Sequence, residues 1–298
     1  MFSVPVSFLF DFGQTNEKTR PYFMHEFAVN GAKHLVLSNT LISEVMKDYT
    51  LQKTLLDEMA AEGLTFADAH ATFGPMRDLI CPVEEARPQM LLRQKLTLQI
   101  LADMGVNTIT IHTGNETHYP GYDLEVMYDC MKRSLDELLP MAEKLGIVIC
   151  IENIWYQINT PERLLGIKKE FPTDALGLCY DSGHANVMDK GRNFPDSNPF
   201  KYWKDVPPQF DDRILEKMLP EVVNCHLHDN HGILDEHKMP GYGDVDWAHI
   251  MGLLARAPRL MCLQNEARPL SVRETCETFT ELLDDPGSIT RRNYVAAE

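Results

Sequence analysis

The sequence predicts an α/β chain folded as one closed (β/α)8 barrel. Three observations carry that expectation. Short β-branched runs alternate with longer amphipathic stretches eight times along the 298 residues. Strict alternation of this kind needs crossover connections, hence a parallel sheet with helices outside it. About 250 residues plus insertions is the usual size of such a barrel. The doubly wound open sheet is the competing architecture. It is disfavoured because Phe12-Gly13-Gln14-Thr15, after the first strand, lacks the Gly-rich dinucleotide fingerprint.

The strands are expected at VSFLFDF (6–12), HLVLSN (34–39), TFADAHA (65–71), TITIHTG (108–114), IVICIEN (147–153), LGLCYDS (176–182), VVNCHLH (222–228) and LMCLQNE (260–266). Each is a short run rich in Val, Ile or aromatics, or closed by a turn-forming residue. A first helix is expected near 18–30, followed by TLQKTLLDEMAAEG (50–63) and further helices over 84–105 and 123–146. Gly63, Gly105 and Gly146 each close such a stretch just before a strand, where a left-handed stop residue belongs. Segments 161–170, 211–219, 246–256 and 271–284 complete the helical set. No linker or longer repeat divides residues 1–298. The Pro-rich stretch within 187–210 reads as an extended loop after the sixth strand.

Composition narrows the function. With 28 basic and 44 acidic residues the net charge is −16, which opposes generic attraction to nucleic acid or anionic membrane. No apolar run reaches the roughly 20 residues needed to cross a bilayer. The opening segment reads as a strand and not as a secretory leader. The seven cysteines are scattered without a CxxC pair, and Cys150, Cys179, Cys225 and Cys262 sit inside apolar runs. They read as small buried hydrophobes of a cytoplasmic protein without disulfides. The helical faces show no unambiguous subunit interface.

Chemistry is expected at the C-terminal ends of the strands. His70, His112, Glu152, Asp181, His226 and Glu266 occupy six successive strand ends, and most of the eleven histidines fall at or just after one. Mid-strand positions should be apolar core, and a buried carboxylate is costly unless paired or metal-bound. Convergence of such groups on the barrel axis therefore points to a cation. The minimal set is Glu152, Asp181, His226 and Glu266. Three carboxylates and one imidazole suit Mn, Mg, Co or Zn as the divalent metal. A single strand-end carboxylate on its own reads equally well as a helix cap.

Ile151-Glu152-Asn153, Tyr180-Asp181-Ser182-Gly183-His184-Ala185-Asn186, His226-Leu227-His228-Asp229-Asn230 and Pro240-Gly241-Tyr242-Gly243-Asp244-Val245-Asp246-Trp247, closed by Glu266, form an ordered series. The series resembles the xylose-isomerase-like TIM-barrel superfamily of sugar-phosphate isomerases and epimerases, across essentially the whole chain. The resemblance implies one divalent metal on Glu152, Asp181, His226 and Glu266, with Glu152 and Glu266 exchanging a proton on opposite faces of an enediolate. Such chemistry needs a base beside the acidic carbon and a positive charge near the developing oxyanion. It also places His184 against a substrate hydroxyl, or as a structural partner of the Asp181 loop.

The same superfamily contains apurinic endonucleases with three zinc ions on nine ligands. The resemblance offers a match for each: His70, His112, Glu152, Asp181, His184, His226, Asp235, His237 and Glu266. The acidic surface argues against that reading and for a small sugar-like substrate. His70, His112, Arg268 and Trp155 are then candidate substrate contacts, with Arg268 reading equally well as a surface ion-pair partner. Trp203, Tyr119 and Phe12 are further candidates for aromatic walls of a sugar pocket. Trp155-Tyr156-Gln157-Ile158 replaces the acidic substrate contact of the 3-epimerase pattern, which argues against free-ketose 3-epimerisation. A third reading is a sugar-binding barrel without catalysis. Trp247 is expected to pack at the start of the seventh helix.

Overall fold

The structure is a computed structural model that describes residues 2–11, 15–189, 194–204, 206–268 and 271–295, with side chains as far as residue 290. Eight strands close into a parallel barrel in chain order: β1 (Val6–Phe8), β2 (His34–Leu37), β3 (Thr65–His70), β4 (Thr108–Ile111), β5 (Val148–Glu152), β6 (Leu176–Asp181), β7 (Val222–Leu227) and β8 (Cys262–Asn265). Closure is made by β1 pairing with both β2 and β8. All eight expected strands form, each ending one to four residues before the expected limit. Phe12 and Gly13 lie outside the described residues.

The helices pack outside. Helix Leu124–Leu145 shows why: Met127, Met131, Leu135, Leu138 and Ala142 recur at three- and four-residue spacing and are buried. Its stop is Gly146, at φ 69°, as expected from the sequence. Four helices were not expected: Asn39–Lys47, Ser182–Val187, Asn198–Trp203 and Pro286–Val295. The first begins inside the segment read as strand-end, because the Ser38 hydroxyl accepts from Leu41 N at 3.2 Å and caps it. The third lies within the extended loop, of which residues 190–193 and 205 fall outside the description. No helix among the described residues is long and apolar enough to cross a membrane.

The seven cysteines are all free and buried, as expected. The expectation of an apolar barrel interior fails. Ser7, Asp68, Thr110, Asn224 and Gln264 are fully buried. Asp68, Thr110, Asn224 and Gln264 each precede a strand-end polar residue by two positions, so strand alternation turns them to the same side. Hydrogen bonds make this layer tolerable: Thr108 Oγ1 donates to Asp68 at 2.9 Å and Asn224 Nδ2 to Thr110 at 3.3 Å. Burial still lifts the Asp68 carboxyl to about 6.

Candidate active site

Pairing register brings the strand-end groups together. Asp181 and His226 are direct partners across β6 and β7, and Glu266 follows immediately after β8. Three carboxylates converge on one nitrogen. His226 Nδ1 lies 2.9 Å from Glu152 Oε1, 3.1 Å from Glu266 Oε2 and 3.7 Å from Asp181 Oδ2. His112 Nε2 is 3.0 Å from the other Glu152 oxygen, and the His70 ring stacks 5.5 Å from that of His226. His184 Nδ1 stands 3.4 Å from Glu152 and 3.6 Å from Asp181, while its Nε2 faces Asp235 at 3.6 Å. His237 Nε2 lies 2.9 Å from Asp235. The nine residues singled out from the sequence thus form one continuous cluster.

The flanking motif residues hold it in shape. Asn153 clamps the neighbouring strand, its Oδ1 accepting from Asp181 N at 2.8 Å and its Nδ2 donating to the Asp181 carbonyl at 3.1 Å. Asp181 caps helix Ser182–Val187 by accepting from His184 N at 2.7 Å. Asp229 serves the following loop, accepting from Gly241 N, Val245 N and the Trp247 indole at 2.9, 3.1 and 2.9 Å. Trp247 is fully buried at the start of helix Trp247–Leu254, as expected. Gly183 is required by space alone: a Cβ there would meet the His228 ring at 2.0 Å.

That close approach exposes a residue the sequence reading did not assign. His228 is fully buried, its Nε2 3.0 Å from Asp181 Oδ2 and 3.7 Å from Asp235 Oδ1, and its ring stacks on His237 at 4.1 Å. Its signal was present, because His226 and His228 are two apart and a strand turns both to one side. His237 itself has a left-handed backbone, φ 50°, which is uncommon outside glycine.

The electrostatics follow from burial opposed by partners. Burial alone would raise Glu152, but His226 and His112 outweigh it and hold its carboxyl well below the usual range. Asp181 is held down in the same way by His184 and His228, and Asp235 chiefly by His184. His226 and His184 are raised well above an ordinary imidazole despite burial, by neighbours that include Glu266 and Asp181 respectively.

The cluster floors a cavity of about 410 Å³. Trp155 lines it, edge-on to His184 at 4.8 Å, and Phe73 stacks on His112 at 4.5 Å. Arg268 is exposed and lines an adjoining space of about 260 Å³ that shares His70, Phe73, His237 and Glu266. Two expected aromatic walls are elsewhere. Trp203 is buried behind the site, its indole donating to the Trp155 carbonyl at 2.6 Å, and the Tyr119 hydroxyl accepts from Met76 N at 2.9 Å. Both are held by backbone hydrogen bonds outside the cavity. Phe12 lies outside the described residues.

Residues 29–281 match the family described as xylose isomerase-like TIM barrel. The chain belongs to this family. A solved D-tagatose 3-epimerase-like protein shares the family fold with a TM-score of 0.73 and 18% identity, covering 96% of this chain and 98% of its own. The IOLI protein, solved with a binding zinc atom, gives 0.69 and 17%, over 96% and 98%. Both likenesses are of fold. An uncharacterized protein of Methanocaldococcus jannaschii, MJ1311, is 27% identical over 169 residues, 53% of this chain and 52% of that protein. With a second relative, from Sinorhizobium fredii, matched over 47% of its length, the chain spans about half of these curated relatives.

Proposed function

We propose that the chain is a divalent-metal-dependent isomerase or epimerase of a small sugar, sugar phosphate or related polyol. The observation that carries this reading is the convergence of Glu152, Glu266 and Asp181 on His226, with Glu152 and Glu266 also lining an open cavity at the ends of the strands. The donor set fits a cation. Glu152 Oε2 is buried and 3.0 Å from His112 Nε2, yet makes no hydrogen bond, and Asp235 Oδ1 is likewise buried without one. Three carboxylates so close together repel one another unless positive charge joins them; protonated His226 and His184 supply it in the metal-free protein, and a cation would take over that role. Glu152, Asp181, His226 and Glu266 would hold the ion. When bound, it would polarise a substrate carbonyl and its neighbouring hydroxyl.

The protein's own groups supply the rest. Glu152 ends β5 and Glu266 follows β8, three strands apart in the barrel, so they would reach a substrate from different sides. One would remove a proton beside the carbonyl and the other return it. His184, held by the Asn153 carbonyl at 2.9 Å, would meet a hydroxyl, and Trp155 and Phe73 supply apolar faces for C–H-rich sugar surfaces. The epimerase-like and zinc-containing structural neighbours support the reading. Solvent-deuterium incorporation into a panel of ketoses and ketose phosphates tests it. Glu152→Gln should lower exchange by about 10³-fold with the circular dichroism spectrum unchanged. Full exchange in that variant would refute the assignment.

A second reading rests on the additional donors. Asp181, His184 and His228 form one compact group, and His228, Asp235 and His237 another. Together with His70, His112 and Glu152 they would suit three metals and phosphodiester hydrolysis. Elemental analysis separates the two: three metals per chain together with cleavage of abasic DNA support hydrolysis, one metal removes it.

A further inference from the structure

The cavity has an outer wall whose polar groups belong to none of the strand-end cluster. Asp78, in the loop after β3, is buried, and Gly74 N donates to its Oδ1 at 2.7 Å. His118, in the loop after β4, points its Nδ1 at Asp78 Oδ2 at 3.4 Å and keeps its side chain 31% exposed. Asn115 completes the group. Its Oδ1 accepts from Thr117 N at 2.9 Å and from Thr117 Oγ1 at 2.7 Å, which fixes the orientation of the amide. The amide nitrogen is thereby turned to His118 Nε2, at 3.5 Å. The Asp78 carboxylate beside Nδ1 draws the ring proton to that nitrogen, and the amide N–H facing Nε2 favours the same tautomer, with the lone pair on Nε2.

The two loops can meet only because of Gly114. Its φ is 139°, and a Cβ there would lie 2.5 Å from Ile80 Cγ1 and 2.7 Å from Asp78 Cβ. Ile80 N donates to the Thr113 carbonyl at 3.0 Å and ties the approach. Asp78, Asn115 and His118 all line the same cavity as Glu152 and Glu266. Among the described residues lining it there is no Lys or Arg, and its charged imidazoles, His184 and His237, stand across the cavity against Asp235, so this wall offers no cation to an anionic group.

We propose that Asp78, His118 and Asn115 form a recognition station for an uncharged substrate hydroxyl remote from the reacting carbon, with His118 Nε2 as the acceptor. The inference rests on the reading of the cavity as a polyol site. The long Asn115 contact leaves the Nε2 lone pair weakly engaged, and a hydroxyl donating to it at ordinary distance gives a better hydrogen bond. Asp78 acts as a positioning residue, through the tautomer. An Asn at 78 with its oxygen kept on Gly74 N presents its N–H to Nδ1, which moves the ring proton to Nε2; there it opposes the Asn115 N–H, and the hydroxyl loses its acceptor.

Binding is measured calorimetrically on the Mn-loaded protein with D-fructose, xylitol and D-fructose 6-phosphate. His118→Phe should weaken D-fructose and xylitol about tenfold, one hydrogen bond's worth. Asp78→Asn should weaken them similarly in the wild-type background and hardly at all in His118→Phe, where there is no tautomer to set. His118→Gln, which keeps an acceptor, should recover part of the loss. The phosphate ester should bind no more tightly than the free ketose. Unchanged affinity in His118→Phe, losses that multiply in the double variant, tighter binding of the phosphate ester, or failure of every polyol to bind would each overturn the proposal. The two readings fail separately: no deuterium exchange with the His118 effect intact sinks only the isomerase reading. Exchange with an unchanged KM in His118→Phe sinks only the station.

Discussion

His70 and His237 both lie within electrostatic reach of Glu266, and both donate one ring N–H to a main-chain carbonyl, of Ala71 and of Glu266 respectively, at 2.9 Å. Their charges nevertheless go opposite ways. Burial, reinforced by His112, pushes His70 down to about 4. Burial acts on His237 in the same direction, but Asp235 at 2.9 Å reverses it and lifts the ring to about 9. The difference shows that burial keeps an imidazole of this cluster neutral unless a carboxylate in close contact outweighs it. His70 is thereby kept neutral near neutral pH, with Nε2 free of a proton, the form a metal or a substrate hydroxyl requires. The Asp235 side is a charged, self-neutralised pair.

Removing Asp235 is the strongest way to break the contrast. In metal-free Asp235→Asn, the His237 ring should titrate below 6.5 instead of near 9, as followed by NMR of the imidazole. Stability at pH 7 should fall by about 3 kcal/mol, because His184 and His237 lose their shared carboxylate. An unchanged titration would mean that Asp235 is not the cause.

The pH dependence of stability sharpens the same contrast from both sides. His70 in the folded chain lies below its ordinary value of 6.5, so between 6.5 and 4 the unfolded chain binds a proton that the folded chain does not. Its contribution, up to about 3 kcal/mol, is therefore present above pH 6.5 and lost as pH falls toward 4. His237 works in reverse, stabilising fully below 6.5 and losing its effect as pH rises through 9. Because it is 19% exposed its share is smaller, about 1–2 kcal/mol. Urea melts of metal-free protein should show the acid limb flattened in His70→Gln and the alkaline limb flattened in His237→Gln. Equal slopes in the variants and the parent would contradict the assignment.

The smallest effect expected lies behind the aromatic wall. Trp203→Phe removes the hydrogen bond to the Trp155 carbonyl and should cost about 1 kcal/mol, read as a shift in the urea midpoint.

The legible and illegible parts of this molecule divide by range. The eight strands were legible because each is a short apolar run, most of them rich in β-branched or aromatic residues, closed by polar or turn-forming ones, and Gly146 stops its helix for reasons local to the backbone. The short helices were not, because helices such as Ser182–Val187 and Asn198–Trp203 are too brief to show a periodic apolar face. The strand-end cluster could be anticipated because barrel closure brings any inward residue at that height to one axis. His228 shares the side of His226 two residues earlier, but its contact with Asp181 also needs the bare Gly183 beside it, which spacing alone does not reveal. Asp78 and His118 escaped because they are 40 residues apart and meet only through the conformation of Gly114. The polar layer at Asp68, Asn224 and Gln264 was also missed, since nothing local distinguishes a hydrogen-bonded interior residue from an exposed one.

The seven buried, unpaired cysteines have a consequence unrelated to the site. Burial raises Cys150, Cys225 and Cys262, all in barrel strands, well above an ordinary thiol, so they are protonated as well as shielded. A thiol reagent can meet them only when strands separate, and a closed barrel has no edge strand that peels away alone. Alkylation of these positions would then proceed at the pace of global opening, giving the molecule an internal clock for its own kinetic persistence.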